Sequence, residues 1–173
     1  MRQLSDRDRI HKLMRALGAK ADQALRLYFT GGATAVLLDW RKTTIDVDLR
    51  IFPESDRLLR AISHLKDELQ MNIELACPAD FIPEIPGWEG RSLYVTTEGQ
   101  IAFYHYDLYA QGLAKIERGH TQDLEDVRAM IGRGLIEPEK IRHYFGEIEP
   151  LLYLYPAIHP LSFRQAVEAI LGE

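Results

Sequence analysis

Two neighbouring stretches decide the fold of this chain, Tyr28-Phe29-Thr30-Gly31-Gly32-Ala33 and Thr44-Ile45-Asp46-Val47-Asp48-Leu49. The glycines end a predicted strand, Leu25–Phe29, and open a predicted helix, Ala33–Trp40. Glycine adopts positive φ and lets another group approach the backbone closely, and the first N–H groups of a helix are unpaired. The turn therefore suits a phosphate. A tight strand-to-helix turn that binds no ligand is the alternative.

The second stretch carries a pair of carboxylates. Residues Ile45–Phe52 alternate in polarity, which predicts a strand. Residues two apart in a strand point to the same face, so the carboxylates of Asp46 and Asp48 lie side by side and repel each other unless a cation lies between them. Hard oxygen ligands of this kind suit Mg²⁺ or Mn²⁺. The alternative is a solvated edge strand with two surface acids.

The spacing of the two stretches links them. Gly32 and Asp46 are 14 positions apart, which is room for one short helix before the chain enters a neighbouring strand. We therefore expect the glycine turn and the acid pair at the same edge of one sheet, with backbone amides facing the carboxylates.

The rest of the chain predicts further alternation of helices and strands. Helices are expected at about 5–24, with Ser5 as the cap, and at Glu54–Met71; strands at Asn72–Ala76, Leu93–Thr97 and Ile101–Tyr106; an ordered loop at Cys77–Gly90; and four short helices after Asp107. This pattern predicts a mixed α/β class with a helical C-terminal part. We expect one domain over 1–173, with the strands in 1–106 and a helical subregion in 107–173.

Composition excludes several classes of protein. The 173 residues hold 21 basic and 26 acidic side chains, a net charge of −5, which disfavours a sequence-independent nucleic-acid binder. The single cysteine, Cys77, excludes an internal disulfide framework and a Cys-rich zinc site. No apolar run approaches the ~20 residues that span a bilayer, and the first eight residues are too polar for a signal peptide. We expect a cytoplasmic protein with no membrane partner.

The glycine turn and acid pair resemble those of the nucleotidyltransferase superfamily related to DNA polymerase beta. The matching residues are Gly31, Gly32, Asp46 and Asp48. The resemblance implies a small mixed sheet flanked by helices, with the Thr30–Gly32 turn binding the phosphates of a nucleoside triphosphate. It also implies that Asp46 and Asp48 hold Mg²⁺ or Mn²⁺ and that a nucleoside monophosphate is transferred to an acceptor.

The family has a third catalytic acid on a later strand. Glu74, in Asn72-Ile73-Glu74-Leu75, matches that position, where the family more often has Asp. Asp80, in the proline-rich loop, is the alternative. Glu74 also has a purely structural interpretation, as an ordinary exposed acid on a strand.

The C-terminal half carries a second likeness. Lys115, followed by an acidic helix that contains Asp123 and Asp126, is similar to the subgroup of AbiEii-type abortive-infection toxins. That resemblance implies that Lys115 contacts the triphosphate, that Asp123 is a later functional acid, and that a cognate toxin or antitoxin protein is a partner.

The acidic helix also has a purely structural interpretation. Thr121 can cap it, and acids in its first turns interact favourably with the helix dipole. Its core face would then consist of Leu124, Val127 and Ile131.

Two further features are open to either interpretation. Arg41-Lys42, with Arg57 and Arg60, forms either a basic rim or a solvated face. His105, between two tyrosines on a predicted strand, is interpreted as a packed or surface residue.

These observations favour a metal-dependent nucleotidyltransferase. The acceptor is a protein hydroxyl, an RNA end or a small molecule, and the residues do not choose among them. A nucleotidyltransferase-fold binding or antitoxin module with little or no activity is the second hypothesis. A structural or oligomeric protein whose acids are merely on the surface is the third.

Overall fold

The computed structural model describes residues 2–173, which form a mixed α/β structure. The eight helices of this part are α1 (Arg7–Lys20), α2 (Gly31–Leu37), α3 (Asp56–Glu68), α4 (Trp88–Arg91), α5 (Leu108–Arg118), α6 (Thr121–Gly132), α7 (Pro138–Ile148) and α8 (Pro160–Leu171). The five strands are β1 (Leu25–Thr30), β2 (Asp46–Phe52), β3 (Asn72–Leu75), β4 (Leu93–Glu98) and β5 (Ile101–His105). Two 3₁₀ segments cover Pro78–Asp80 and Glu149–Leu154.

The chain divides into two compact units. The first comprises the described residues through Cys77 together with Ser92–Tyr106, and the second comprises Pro78–Arg91 and Asp107–Glu173. The loop that the sequence assigned to Cys77–Gly90 thus lies almost wholly in the second unit. The expectation of a single domain stays a prediction.

The first unit is built on one mixed sheet with the strand order β3-β2-β1-β5-β4. Strand β1 is antiparallel to β2 and parallel to β5, whereas β2 and β3 are parallel. Strands β4 and β5, both predicted from the sequence, pair as an antiparallel hairpin.

The core of this unit lies on one face of the sheet. Alternate residues of β1 and β2 pack there against apolar residues of α1, α2 and α3, including Ile10, Leu13, Met14 and Leu17, the helical pattern read from the sequence. Burying these side chains supplies most of the stability of the unit. The opposite face carries the polar residues of β2, and it is this face that bears the predicted site.

Several helix boundaries differ from the prediction. Helix α1 begins at Arg7 because Asp6 accepts a hydrogen bond from the Arg9 backbone, so the assignment of Ser5 as its cap is wrong. Ser5 instead forms a bridge with Thr44. Helix α2 begins earlier than predicted and ends at Leu37, and two residues later Asp39 has a positive φ of 74°, a conformation that no helix continues through.

Helix α3 is also shorter than the predicted Glu54–Met71. Ser55 caps its start by accepting a hydrogen bond from the Leu58 backbone, and it ends at Glu68. Gln70, two residues beyond that end, has a positive φ of 52°, and Met71 after it is fully buried.

The second unit is helical. Helix α5 is its centre and contacts α6, α7 and α8. The segment before it packs through Ile82, Ile85 and Trp88, which are buried, whereas Phe81 is 55% exposed. Within residues 2–173, none of the helices combines the length and the apolar character needed to cross a membrane.

Candidate active site

Asp46 and Asp48 lie on one face of β2, as the alternation of polar and apolar residues predicted. Asp46 and Asp48 are half-buried on one face of the strand, and Val47 and Leu49 are buried on the other. We call the face with the two aspartates the acid face. Because Val47 and Leu49 are locked in the core, the two carboxylates are held in place on adjacent positions of the same face.

The strand next to β2 brings Glu74 to the acid face. The parallel register pairs Asp46 with Asn72 and Asp48 with Glu74, so all four side chains point to the same side. Asn72 Nδ2 donates hydrogen bonds to Asp46 Oδ1 and to Glu74 Oε1, the latter at 3.4 Å. The amide thus partly offsets the repulsion between the carboxylates.

The alternative third acid has a different position. Asp80 lies in the 3₁₀ segment Pro78–Asp80 of the second unit, whereas Glu74 belongs to the sheet that carries Asp46 and Asp48. Within the first unit, the geometry therefore favours Glu74 as the companion of the aspartates.

The glycine turn adjoins the acid face. Thr30, at the end of β1, is the register partner of Asp48. Gly31 has a φ of +60°, which favours glycine, and a Cβ atom built on it would lie 3.0 Å from Asp48 Oδ2. A side chain at position 31 would therefore crowd the carboxylate.

Gly32 is required for a different reason. A Cβ atom on it would lie 1.8 Å from the Oγ1 atom of Thr44, and Arg41 Nη2 would be 3.3 Å from that same Cβ. Thr44 Oγ1 also donates a hydrogen bond to the Asp46 carbonyl oxygen at 3.0 Å. The loop that enters β2 is thus packed directly against the turn, and only glycine leaves room for it.

His105, which was interpreted as a packed or surface residue, is buried beside the turn. His105 is the register partner of Phe29, and its Nδ1 atom is 3.0 Å from Thr34 Oγ1. Burial lowers the pKa of His105 to about 4, so the ring is neutral at pH 7. It is a packed residue that ties β5 to α2.

Lys115 and Asp123, the two site residues expected in the C-terminal half, lie in a buried ion cluster of the second unit. Lys115 Nζ is 2.8 Å from Asp126 Oδ2 and 3.8 Å from Asp123 Oδ1, and both aspartates are 1% exposed. Arg118 donates two further hydrogen bonds to Asp123. Burial opposes ionisation of Asp123, but Arg118 and Lys115 together lower its pKa below the usual range.

The predicted core face of α6, Leu124, Val127 and Ile131, is right only for Val127. The buried residues of that helix are Asp123, Asp126, Val127 and Met130, whereas Leu124 and Ile131 are only half-buried. Lys115 on α5 is buried against α6, and a buried ammonium group needs carboxylate partners. Asp123 and Asp126 therefore lie on the buried face of α6, where an apolar pattern alone predicts leucine and isoleucine.

The carboxylate oxygens of the acid face are ligands of the kind that fit a magnesium ion. Within residues 2–173, the structure contains no group of three or more His, Cys, Asp or Glu side chains arranged to hold a metal ion. Magnesium is commonly bound by one or two carboxylates and completes its shell with water and substrate phosphates. Asp46 and Asp48 supply that number of carboxylates.

A glycine turn packed against paired carboxylates on a mixed sheet is the arrangement implied by the resemblance to nucleotidyltransferases. Residues 8–156 match the family model described as "Nucleotidyltransferase of unknown function (DUF6036)", and the chain belongs to this family. Neither the comparison with curated proteins nor the comparison with solved structures found a match. The finer likeness to AbiEii-type toxins stays a prediction.

Proposed function

We propose that this protein transfers a nucleoside monophosphate from a nucleoside triphosphate to an acceptor hydroxyl in a Mg²⁺-dependent reaction. The observation that carries the proposal is the proximity of Gly31 to Asp48 on the acid face, where a Cβ atom on Gly31 would lie 3.0 Å from Asp48 Oδ2. Membership of a nucleotidyltransferase family supports it.

The transfer exchanges one phosphorus–oxygen bond for another. The acceptor oxygen bonds to the α-phosphorus, the bond from that phosphorus to the bridging oxygen breaks, and pyrophosphate leaves. When bound by Asp46 and Asp48, Mg²⁺ would supply positive charge to the phosphate oxygens. Catalysis of this kind is mainly electrostatic and positional.

The residues of the chain have separate tasks in this proposal. The Thr30–Gly32 turn binds the phosphates through its backbone, as the resemblance to nucleotidyltransferases implies. Asp46 and Asp48 would hold the metal ion. Glu74, exposed and level with Asp48 in the register, is the carboxylate that we assign to accept the proton of the acceptor hydroxyl.

Lys115 and Asp123 enter the proposal only through the AbiEii-type likeness. Lys115 is close to two buried carboxylates, so a triphosphate would have to compete with them for its charge. A role in a toxin–antitoxin pair rests on the same likeness and stays a prediction. The cytoplasmic location, which the composition predicts, also stays a prediction.

The experiment that tests the proposal follows a label placed on one phosphate of the nucleotide. The protein is incubated with Mg²⁺, a clarified cell extract as the source of acceptor, and each nucleoside triphosphate labelled at either the α- or the γ-phosphate. We expect transfer of the α-label alone, and its loss in Asp46→Asn. Transfer of the γ-label would indicate a kinase, and no transfer from any nucleotide would contradict the proposal.

One observation favours the second hypothesis, a nucleotide-binding module without transfer. The third acid position holds Glu74, where the family more often has Asp. Such a module would bind nucleotide and leave both labels in it.

A further inference from the structure

We propose that Arg41 binds the phosphate chain of the nucleotide at the Gly31–Gly32 turn. The proposal deepens the proposed function and rests on it. Arg41 precedes β2 by a few residues, and from the sequence it was either part of a basic rim or a solvated side chain.

The first argument is position. Arg41 Nη2 would lie 3.3 Å from a Cβ atom on Gly32, and Asp48 Oδ2 would lie 3.0 Å from a Cβ atom on Gly31. A guanidinium group and a carboxylate therefore flank two consecutive glycines. A phosphate chain that crosses this turn meets the metal-binding carboxylate beside Gly31 and the cation beside Gly32.

The second argument is rigidity. The backbone N–H groups of Trp40 and Arg41 both donate to the carbonyl oxygen of Ala35 in α2, at 3.0 and 3.2 Å. The loop that carries Arg41 is thus fastened to the helix that follows the turn, and Arg41 itself is half-buried. The backbone at Arg41 is therefore positioned before a ligand binds, which lowers the conformational entropy lost on binding.

The third argument is charge. Asp46, Asp48 and Glu74 place three carboxylates on the acid face, and a triphosphate adds further negative charge. A single divalent ion does not balance that total, so a nearby cation strengthens binding considerably. Arginine suits this task because its planar fork donates two parallel hydrogen bonds to phosphate oxygens.

The test compares three variants. Arg41→Gln removes the charge, Arg41→Lys keeps the charge and removes the fork, and Lys42→Gln removes the charge of the exposed neighbour as a matched control. Dissociation constants are measured with Mg²⁺ for the four ribonucleoside triphosphates, for inorganic tripolyphosphate and for the corresponding nucleosides. The unliganded melting temperature of each variant reports on folding.

We expect Arg41→Gln to weaken binding of triphosphates and tripolyphosphate by roughly 10- to 100-fold, the usual range for a lost charge-assisted hydrogen bond. Nucleoside binding should not change, Arg41→Lys should be intermediate, and Lys42→Gln should stay within about twofold of the wild type. A residue that merely supports the turn would lower the melting temperature and affect nucleosides and triphosphates alike.

The outcomes separate the inference from the proposed function. If the wild type binds no nucleoside triphosphate, the proposed function fails. If the wild type binds and Arg41→Gln binds equally well, only the role of Arg41 is overturned. Should Arg41→Gln not fold, Arg41→Lys carries the test, and an affinity equal to that of the wild type overturns the inference.

Discussion

Gly31 lies beside Asp48 at the end of the β1–β2 pair, and a Cβ atom on Gly31 would lie only 3.0 Å from Asp48 Oδ2. This proximity joins two different chemical features, a glycine turn of the kind that binds phosphate and a carboxylate suited to a metal ion. It arises from the antiparallel register, which pairs Thr30 with Asp48. The site therefore follows directly from the way the strands pair.

Gly32→Ala tests the close packing at the turn. The added Cβ would lie 1.8 Å from Thr44 Oγ1, so the loop before β2 must move, and we expect a loss of at least about 1–3 kcal/mol in the free energy of unfolding. Urea denaturation measures it. Gly132→Ala, at a helical glycine with nothing within 4 Å of its Cβ position, is the control and should be neutral or stabilising. Equal stability of the two variants would contradict the packing described.

Glu74→Gln separates catalysis from binding. If Glu74 accepts the proton of the acceptor, the variant should transfer label about 10²–10⁴ times more slowly while its nucleotide affinity changes little. Glu54→Gln, an exposed carboxylate outside the sheet, is the matched control. A transfer rate like that of the wild type in Glu74→Gln would remove Glu74 from the catalytic set.

Lys115→Met tests the buried ion cluster. The substitution leaves Asp123 and Asp126 buried without their ammonium partner, and we expect a loss of about 3–5 kcal/mol in the free energy of unfolding. Lys140→Met, which removes an exposed lysine 3.5 Å from Glu137, should cost less than about 0.5 kcal/mol. If Lys115→Met is as stable as the wild type but binds nucleotide weakly, the lysine serves the ligand, as the AbiEii-type likeness implies.

His105 makes stability depend on pH. Burial lowers its folded-state pKa from 6.5 to about 4, so in this range the unfolded chain binds the proton more readily than the folded chain does. Stability is therefore fully present above pH 6.5 and falls as the pH drops towards 4. Between pH 7 and pH 5 we expect a loss of about 2 kcal/mol from this residue.

His105→Asn provides the comparison, because its amide can occupy the place of Nδ1 beside Thr34 without titrating. Urea denaturation at pH 7 and pH 5 should show a smaller difference for this variant than for the wild type. The same pH difference in both proteins would show that other groups are responsible.

The sequence predicted local features better than long-range contacts. The alternation of β2 located Asp46 and Asp48 on one face, because a strand with one buried face has only one acceptable register. The cap at Asp6 was missed because Ser5 and Asp6 are both good caps, and the bridge from Ser5 to Thr44 decides between them. The burial of Asp123 and Asp126 could not be inferred, since it depends on Lys115 from another helix. The proximity of the Arg41 guanidinium to Gly32 is likewise a tertiary relationship, and no periodic pattern in the sequence predicts it.

The most direct test of the central claim is thermal unfolding of the wild type and Asp46→Asn with each nucleoside triphosphate, with and without Mg²⁺. A ligand at 100 times its dissociation constant stabilises a folded protein by about 2.7 kcal/mol, which raises the melting temperature of a domain of this size by several degrees. We predict such a rise for the wild type with at least one nucleotide, only when Mg²⁺ is present, and its loss in Asp46→Asn. An unchanged melting temperature with all four nucleotides, or an equal rise in the variant, would contradict a nucleotide site on the acid face.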